Sequence, residues 1–196
     1  MILVYQIADY VGDSVKKLAK NLQAGFIISD AQLLERAKNR DDKAFNELVK
    51  RHQQFVYKIA LGYLNDNEAA KDITQDVFLK AYRGLPYFQS DSQFTTWLYK
   101  ICKNHCLNII RRRKLENDNQ PEERNDEMAD ISMKTKLKSL ISRLNDEHRE
   151  IIVLRYYNDL KYEEIARYLG INLGAVKIRL HRAKQELKQL AGVDIK

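Results

Sequence analysis

Turn-forming residues are scarce in this sequence, and so are long apolar runs and cysteines. Two prolines and seven glycines occur in 196 residues, too few for the many tight turns of a β-sandwich or a β-barrel. No apolar run approaches the roughly 18 residues of a membrane-spanning helix, and two cysteines make no disulfide framework. With 44% hydrophobic and 31% charged residues, the composition predicts a helix-rich protein that folds in water without membrane insertion.

An export signal is also missing from the first residues. Residues 1–9 lack a basic leader and reach an acidic residue early, unlike a secretory signal peptide. We therefore expect a cytoplasmic protein. Residues 1–28 form a weakly amphipathic N-terminal extension, and the sequence does not indicate its role.

The net charge of +7 is distributed in blocks. Residues 98–115 contain six basic and no acidic residues, and residues 134–196 contain 14 basic and eight acidic ones, so each block carries +6. Between them, residues 116–133 contain seven acidic residues and one basic residue, Arg124. A single basic run is commonly a solvated surface, but two separate cationic clusters point to a polyanionic partner.

Helical periodicity divides the chain into two modules. Apolar residues recur at helical spacing through residues 29–115 and again through residues 134–196. Asp30 and Asn67 are the expected N-caps of two helices in the first module. The acidic stretch 116–133 is too polar to repay ordering by burial. The predicted fold class is therefore all-α, with two small helical bundles joined by an acidic flexible linker.

The C-terminal module contains the pattern of a helix-turn-helix. Ile165 and Val176 lie where two crossing helices would pack, and Gly170 suits a left-handed helix end. In this motif the second helix enters the major groove of DNA, although an ordinary helical hairpin with a cationic surface is the alternative. The outward face of the second helix would offer these residues to bases and phosphates: Asn172, Ala175, Lys177, Ile178, Arg179, His181 and Arg182.

A second candidate surface is a helix that interleaves aromatic, hydroxyl and basic residues. Unstacked bases bind such surfaces by stacking and by neutralisation of their phosphates. Phe94, Trp97 and Ile101 also recur at helical spacing, and this spacing alone favours a role in the core. One face of the same helix could follow phosphates, because its polar residues lie three or four positions apart: Lys100, Lys103, Asn104, Asn108 and Arg111.

Catalytic and metal sites find little support in the sequence. Cys102, His105 and Cys106 share one helical turn, but no fourth zinc ligand is evident, which favours structural burial of the cysteines. Asp72 and Asp76 lie one turn apart without further acidic neighbours, so a polar docking surface is preferred over a nuclease metal site. We therefore expect no enzyme activity, no metal and no cofactor.

Three segments share their order and spacing with one known family. Residues 72–82 (DITQDVFLKAY), residues 94–101 (FTTWLYKI) and the helix-turn-helix over residues 162–180 together resemble the bacterial extracytoplasmic-function (ECF) sigma factors of the sigma-70 family. The resemblance covers about residues 30–190. It implies a dissociable subunit of RNA polymerase that selects promoters.

The resemblance also implies roles for both modules. Residues 29–115 would be sigma region 2, which binds core RNA polymerase and melts the minus-ten promoter element. Four residues would dock on core polymerase: Asp72, Gln75, Asp76 and Lys80. The melted non-template strand would be held by Tyr87, Phe88, Thr95, Thr96, Trp97, Lys100, Lys103, Asn104 and Arg111.

Residues 134–196 would be sigma region 4, which reads the minus-thirty-five element through the helix-turn-helix residues given above. The linker, residues 116–133, would thread toward the RNA-exit path of the polymerase, and an anti-sigma factor would hold the protein until a signal arrives. One departure concerns Ile178, where the family often has a hydroxyl residue. Two other functions stay open: a helix-turn-helix regulator with an N-terminal sensor or dimerisation domain, and a nucleic-acid-processing hydrolase.

Overall fold

The computed structural model describes residues 28–88, 93–118 and 133–192. These three stretches consist of helices and turns without any strand, and the predicted all-α class is confirmed. Two expected parts lie outside the described residues: the N-terminal extension up to residue 27, and residues 119–132, which make up most of the predicted linker. No described helix is long and apolar enough to cross a membrane.

Eight α-helices follow one another in the described stretches. In chain order they are α1 Asp30–Lys38, α2 Asp42–Leu64, α3 Asn67–Gly84, α4 Phe94–Asp118, α5 Met133–Arg143, α6 Asp146–Ile152, α7 Tyr162–Leu169 and α8 Leu173–Leu190. A 3₁₀ turn, Leu85–Tyr87, follows α3, and a π-helical turn, Val153–Tyr157, extends α6. The described residues form two compact units, one that ends at Leu48 and one that begins at Val49, and the division falls within α2.

The first unit contains α1 and the start of α2. Ser29 caps α1, because its hydroxyl accepts a hydrogen bond from the Gln32 amide while the Gln32 side chain accepts one from the Ser29 amide at 2.9 Å. The predicted N-cap, Asp30, lies instead in the first turn, where its charge suits the helix dipole. Arg36 in the last turn of α1 forms an ion pair with Asp41 at 2.7 Å, and its hydrogen bond lowers the pKa of Asp41.

The second unit begins with the larger part of α2, followed by α3 and α4. Asp66 caps α3 by accepting hydrogen bonds from the amides of Glu68 and Ala69, both at 3.1 Å. Asp66 thus takes the role that the sequence assigns to its neighbour Asn67. Helix α3 packs against α4. Helices α2 to α4 bury a set of apolar side chains: Val56, Ile59, Ile73, Val77 and Leu98.

Helices α5 to α8 form the second half of this unit. Arg149 of α6 is buried at the end of α5, where it donates hydrogen bonds to the carbonyl oxygens of Ser142 (2.6 Å) and Leu144 (2.9 Å). The last carbonyl groups of a helix have no partner within it, and a cation there also suits the helix dipole. Helix α8 packs against α5, α6 and α7, so it is the central element of this half.

The predicted helix-turn-helix consists of α7, a short turn and α8. Gly170 ends α7 with a φ of 66°, the left-handed conformation that glycine adopts without steric cost. Asn172 caps α8 by accepting a hydrogen bond from the Ala175 amide at 2.8 Å. Ile165 of α7 and Val176 of α8 are both fully buried. The turn and the two apolar side chains therefore fix the orientation of α8 relative to α7.

Replacing Ile165 with alanine is expected to lower the free energy of unfolding by about 2–5 kcal/mol. The side chain is fully buried, so its truncation leaves a cavity that the helices fill only in part. Urea denaturation followed by circular dichroism measures the change. Glu163→Ala, at an exposed position of the same helix, is the matched control and should change the free energy by less than about 0.5 kcal/mol. Equal effects of the two substitutions would contradict the packing of Ile165.

Candidate nucleic-acid interface

One face of α3 carries the residues that the sequence assigns to protein docking. All four are exposed: Asp72, Gln75, Asp76 and Lys80. Leu79 follows Asp76 by three positions, lies on the same face and is 56% exposed. Leu79 was not among the predicted docking residues, although an apolar residue at helical spacing within a polar stripe is a usable signal. An apolar centre with a polar rim is the usual anatomy of a protein interface.

His105 connects this face to α4. Its Nε2 lies 3.4 Å from a carboxylate oxygen of Asp76, and its Nδ1 accepts a hydrogen bond from the ammonium group of Lys80. Burial and the charge of Lys80 lower the pKa of His105, so its ring is neutral at pH 7. The polar end of the α3 face is therefore anchored on the helix behind it.

A cationic groove of about 480 Å³ lies beside His105. Lys80 lines it from α3, and Arg111, Arg112 and Asn108 line it from α4. Arg111 belongs to the predicted strand-binding residues, whereas Arg112 and Lys80 were not assigned to nucleic acid. A concave surface with several cations attracts a phosphate backbone, so the structure extends the predicted basic face toward α3.

The aromatic residues divide into one exposed ring and a packed cluster. Tyr87 is 86% exposed, whereas Phe88 and Phe94 are buried. The half-buried Trp97 ring has its centroid 4.9 Å from that of Phe88, and a side chain added at Gly84 would come within 3.1 Å of it. Phe88 therefore supports Trp97 from the core, contrary to its predicted role on the DNA-binding surface. Tyr87 is the accessible aromatic residue of the set.

The polar face of α4 is partly covered. Lys103 is partly buried and forms an ion pair with Glu150 of α6. Sequence patterns do not predict this pair, because 47 positions separate its members. Two of the predicted residues are half-buried: Thr95 and Thr96. Three others are exposed: Lys100, Asn104 and Arg111.

Helix α8 presents an open stripe of the residues predicted to read duplex DNA. Four of them are exposed: Lys177, Ile178, His181 and Arg182. Ile178 is 55% exposed, an unusual position for isoleucine in water and a suitable one for contact with a thymine methyl group. Ala175 and Arg179 are half-buried, and the Arg179 guanidinium lies 3.4 Å from a carboxylate oxygen of Glu147. The four exposed residues therefore form the accessible part of the predicted duplex-reading surface.

An apolar groove of about 590 Å³ lies in the second unit. Leu137 and Tyr156 line it and are 49% and 50% exposed. Lys138 and Lys184 also line it, so positive charge accompanies the apolar surface. This groove is not predictable from the sequence, because its members come from separate helices and their apolar spacing is equally typical of core residues.

The cysteine pair of α4 belongs to the core. Cys102 and Cys106 are free and fully buried, which confirms their predicted burial. A hydrogen bond with Cys106 and burial raise the pKa of the Cys102 thiol. Across the described ranges, no three His, Cys, Asp or Glu side chains are grouped so that they could hold a metal ion.

Two family models match the chain in succession. The model described as Sigma-70 region 2 matches residues 48–116, and the model described as Sigma-70, region 4 matches residues 134–187. Together the two matched segments include the exposed face of α3, most of α4 and the helix-turn-helix.

Curated proteins and solved structures give the same pattern. The chain is 32% identical over 178 residues to the ECF RNA polymerase sigma-E factor of Escherichia coli K12, which covers 82% of this chain and 93% of the relative. It is 30% identical over 176 residues to the RNA polymerase sigma-H factor of Pseudomonas aeruginosa, covering 81% and 91%. The structure of CnrH in complex with the cytosolic domain of CnrY matches with a TM-score of 0.63 and 27% identity, over 85% of this chain and 99% of that chain.

Proposed function

The chain belongs to the sigma-70 family as an ECF sigma factor of RNA polymerase, and from this premise we propose how its residues divide the work of promoter recognition. An ECF sigma factor directs core RNA polymerase to start transcription at its own promoters. Residues 48–116 bind core polymerase and hold the melted minus-ten element. Residues 134–187 bind the minus-thirty-five element. The protein acts by binding rather than by catalysis, in the cytoplasm.

One observation supports this division above the others: each matched region has its own exposed cationic surface, on α4 in the first and on α8 in the second. A helix-turn-helix regulator with a sensor or dimerisation domain is not favoured, because the N-terminal half also matches a sigma-factor region. The two surfaces suit two separate segments of one promoter.

Core polymerase is assigned to the exposed face of α3. Asp72, Gln75 and Asp76 form its polar part, Leu79 supplies an apolar centre, and Lys80 lies at its end. The acidic residues fit a basic surface on the polymerase, and the leucine adds apolar area that water leaves on binding.

The melted minus-ten strand is assigned to α4 and the turn before it. Tyr87 offers a ring for stacking, and Lys100, Asn104 and Arg111 offer a line of polar groups to the phosphates. Thr95, Thr96, Trp97 and Lys103 are less accessible members of the same surface. The groove with Lys80 and Arg112 continues the positive potential beyond Arg111.

The minus-thirty-five element is assigned to α8. Lys177, His181 and Arg182 are polar donors on its exposed stripe, and Ile178 lies among them. Arginine and lysine donate to guanine edges or phosphates, whereas an isoleucine discriminates by contact with a thymine methyl. Asn172, Ala175 and Arg179 lie at the margin of this stripe.

A protein that keeps this sigma factor inactive is a further expected partner. CnrH, the structural relative described above, is in complex with the cytosolic domain of CnrY. We assign an anti-sigma factor to the apolar groove with Leu137 and Tyr156. Because Lys138 and Lys184 also line the groove, an amphipathic helix with acidic residues is the fitting ligand.

Reconstitution with core polymerase tests the proposed function. The purified chain and core polymerase are incubated with genomic DNA fragments, and the 5′ ends of the transcripts are mapped. We expect starts that core polymerase alone does not produce, aligned on two short sequence elements. Duplex binding without polymerase should be weak and fall steeply with salt, because phosphate contacts dominate it. Tight sequence-specific duplex binding together with no new starts would favour a regulator instead.

A further inference from the structure

A buried carboxylate links the two halves of the second unit. Glu150 of α6 is 6% exposed. It accepts a hydrogen bond from the hydroxyl of Tyr99 and forms an ion pair with the ammonium group of Lys103, both on α4. Burying an ionised carboxylate is costly unless it is paired and hydrogen-bonded, and both of these partners come from the other half.

An aromatic contact lies beside this ion pair. The Tyr168 ring of α7 has its centroid 5.7 Å from that of Phe55 in α2, and it meets the Tyr99 ring edge-on, also at 5.7 Å. Tyr168 further shares a side-chain hydrogen bond with Thr95 of α4. One tyrosine of the helix-turn-helix thus contacts two rings and a hydroxyl of the first half.

A close backbone approach completes the contact. A Cβ added at Gly62 of α2 would lie 2.8 Å from both methyl groups of Val153 and 3.3 Å from the Tyr157 ring. Glycine is the residue that leaves this space. At the margin, the Lys58 ammonium lies 4.0 Å from a carboxylate oxygen of Asp159.

These contacts cover residues that the proposed function assigns to the melted strand, namely Thr95 and Lys103, and the inference rests on that assignment. The Glu150 carboxylate, paired with Lys103, takes the position that a phosphate would take, and Tyr168 occupies the hydroxyl of Thr95 through a hydrogen bond. We propose that Glu150 and Tyr168 act as an internal competitor of the non-template strand. The helix-turn-helix half covers part of the minus-ten surface, and single-stranded DNA binds there after this contact opens.

The chemistry of the contact suits a reversible role. A buried ion pair adds less net stability than well-packed apolar residues of the same size, so the two halves can separate at modest cost. The duplex-reading residues Lys177 and Arg182 stay exposed while the contact is closed. Closure therefore covers the Thr95 and Lys103 part of the minus-ten surface and leaves the minus-thirty-five surface accessible.

Two substitutions open the contact by different routes. Glu150→Gln keeps an oxygen that can accept a hydrogen bond from Tyr99 but removes the negative charge that pairs with Lys103. Gly62→Leu leaves both charged groups intact and fills the space that Val153 needs. Glu163→Gln, an exposed position on α7, is the control that removes the same charge elsewhere.

Binding of a fluorescein-labelled, single-stranded DNA 12-mer of mixed sequence is measured by anisotropy on the full chain without polymerase. We expect Glu150→Gln and Gly62→Leu each to tighten binding about three- to tenfold, because the competent fraction rises, and Glu163→Gln to leave it at the wild-type value or change it far less. Opening is measured separately as the distance between spin labels at Gln54→Cys and Arg167→Cys, two exposed positions next to the Phe55 and Tyr168 rings. This distance should lengthen in both opening variants.

The results distinguish a failure of the internal competitor from a failure of the proposed strand assignment. If the distance and the affinity both stay at their wild-type values in Glu150→Gln and Gly62→Leu, the internal competitor is refuted. Lys103→Met in the Glu150→Gln background tests the strand assignment itself and should weaken binding. If Lys103→Met weakens binding but opening fails to tighten it, the competitor is wrong and the strand assignment stands. If opening lengthens the distance while neither opening nor Lys103→Met changes the affinity, the strand assignment is wrong and the inference falls with it.

Discussion

Exchange of Asp72 and Asp76 for lysine together is expected to reduce transcription by core polymerase to the level of core alone. Both carboxylates are exposed on one face of α3, four positions apart, and the reversal turns two attractions toward a basic partner into two repulsions. Each reversal at an interface costs on the order of 1–2 kcal/mol, so core affinity should fall at least tenfold. Anisotropy of labelled protein titrated with core polymerase measures the loss.

A matched control separates docking from net charge. Glu35→Lys with Glu163→Lys makes the same change in charge at two exposed positions outside the α3 face. This control should retain core affinity within about twofold, in keeping with the small effects of surface substitutions. Asp76 also contacts His105, so Asp72→Lys alone is included as the variant that leaves this contact intact. Unchanged core affinity in the double variant would remove both residues from the docking surface.

Replacement of Lys177 and Arg182 by alanine together should abolish the preference for the upstream promoter element. Both side chains lie on the exposed stripe of α8, and loss of a contact to a base or phosphate costs about 1–3 kcal/mol. We expect a loss of at least tenfold in transcription from a promoter with an intact upstream element. Transcription from the same promoter with that element scrambled should change little.

Run-off transcription from the two templates measures this preference as a ratio. Lys188→Ala is the matched control, because Lys188 is an exposed basic residue nearer the C-terminal end of the same helix. Its ratio should equal that of the wild-type protein. Circular dichroism should give the same unfolding midpoint for all three proteins. A wild-type ratio in the double variant would place the reading surface elsewhere.

Local features of the fold followed from the sequence because their causes are local. Gly170 predicts a left-handed helix end, and the spacing of Asp72 and Asp76 predicts one polar face, since both depend on neighbours within a turn or two. The predicted cap of α3, Asn67, is wrong by one position. Asp66, and not Asn67, has the extended backbone of an N-cap, with φ of −133° and ψ of 117°.

Contacts over long sequence distances could not be predicted in the same way. Periodicity indicates which side of a helix is apolar, but it does not indicate which distant helix covers the polar side. Lys103 has the sequence pattern of a solvated phosphate-binding residue, and its pairing with Glu150 depends on packing between α4 and α6. Phe88 raised a related difficulty, because an aromatic residue near a turn serves equally well as a stacking platform or as a core residue.

The separation between α4 and α5 along the chain determines how the internal competitor and free DNA share one surface. Helix α4 ends at Asp118 and α5 begins at Met133, so the chain between these residues cannot reach beyond about 50 Å. A tether of this size keeps the second half at an effective concentration on the order of millimolar. Free single strands at micromolar concentration would therefore displace the second half only rarely. A strand that the polymerase holds beside α4 would have a similarly high effective concentration and would displace it more readily.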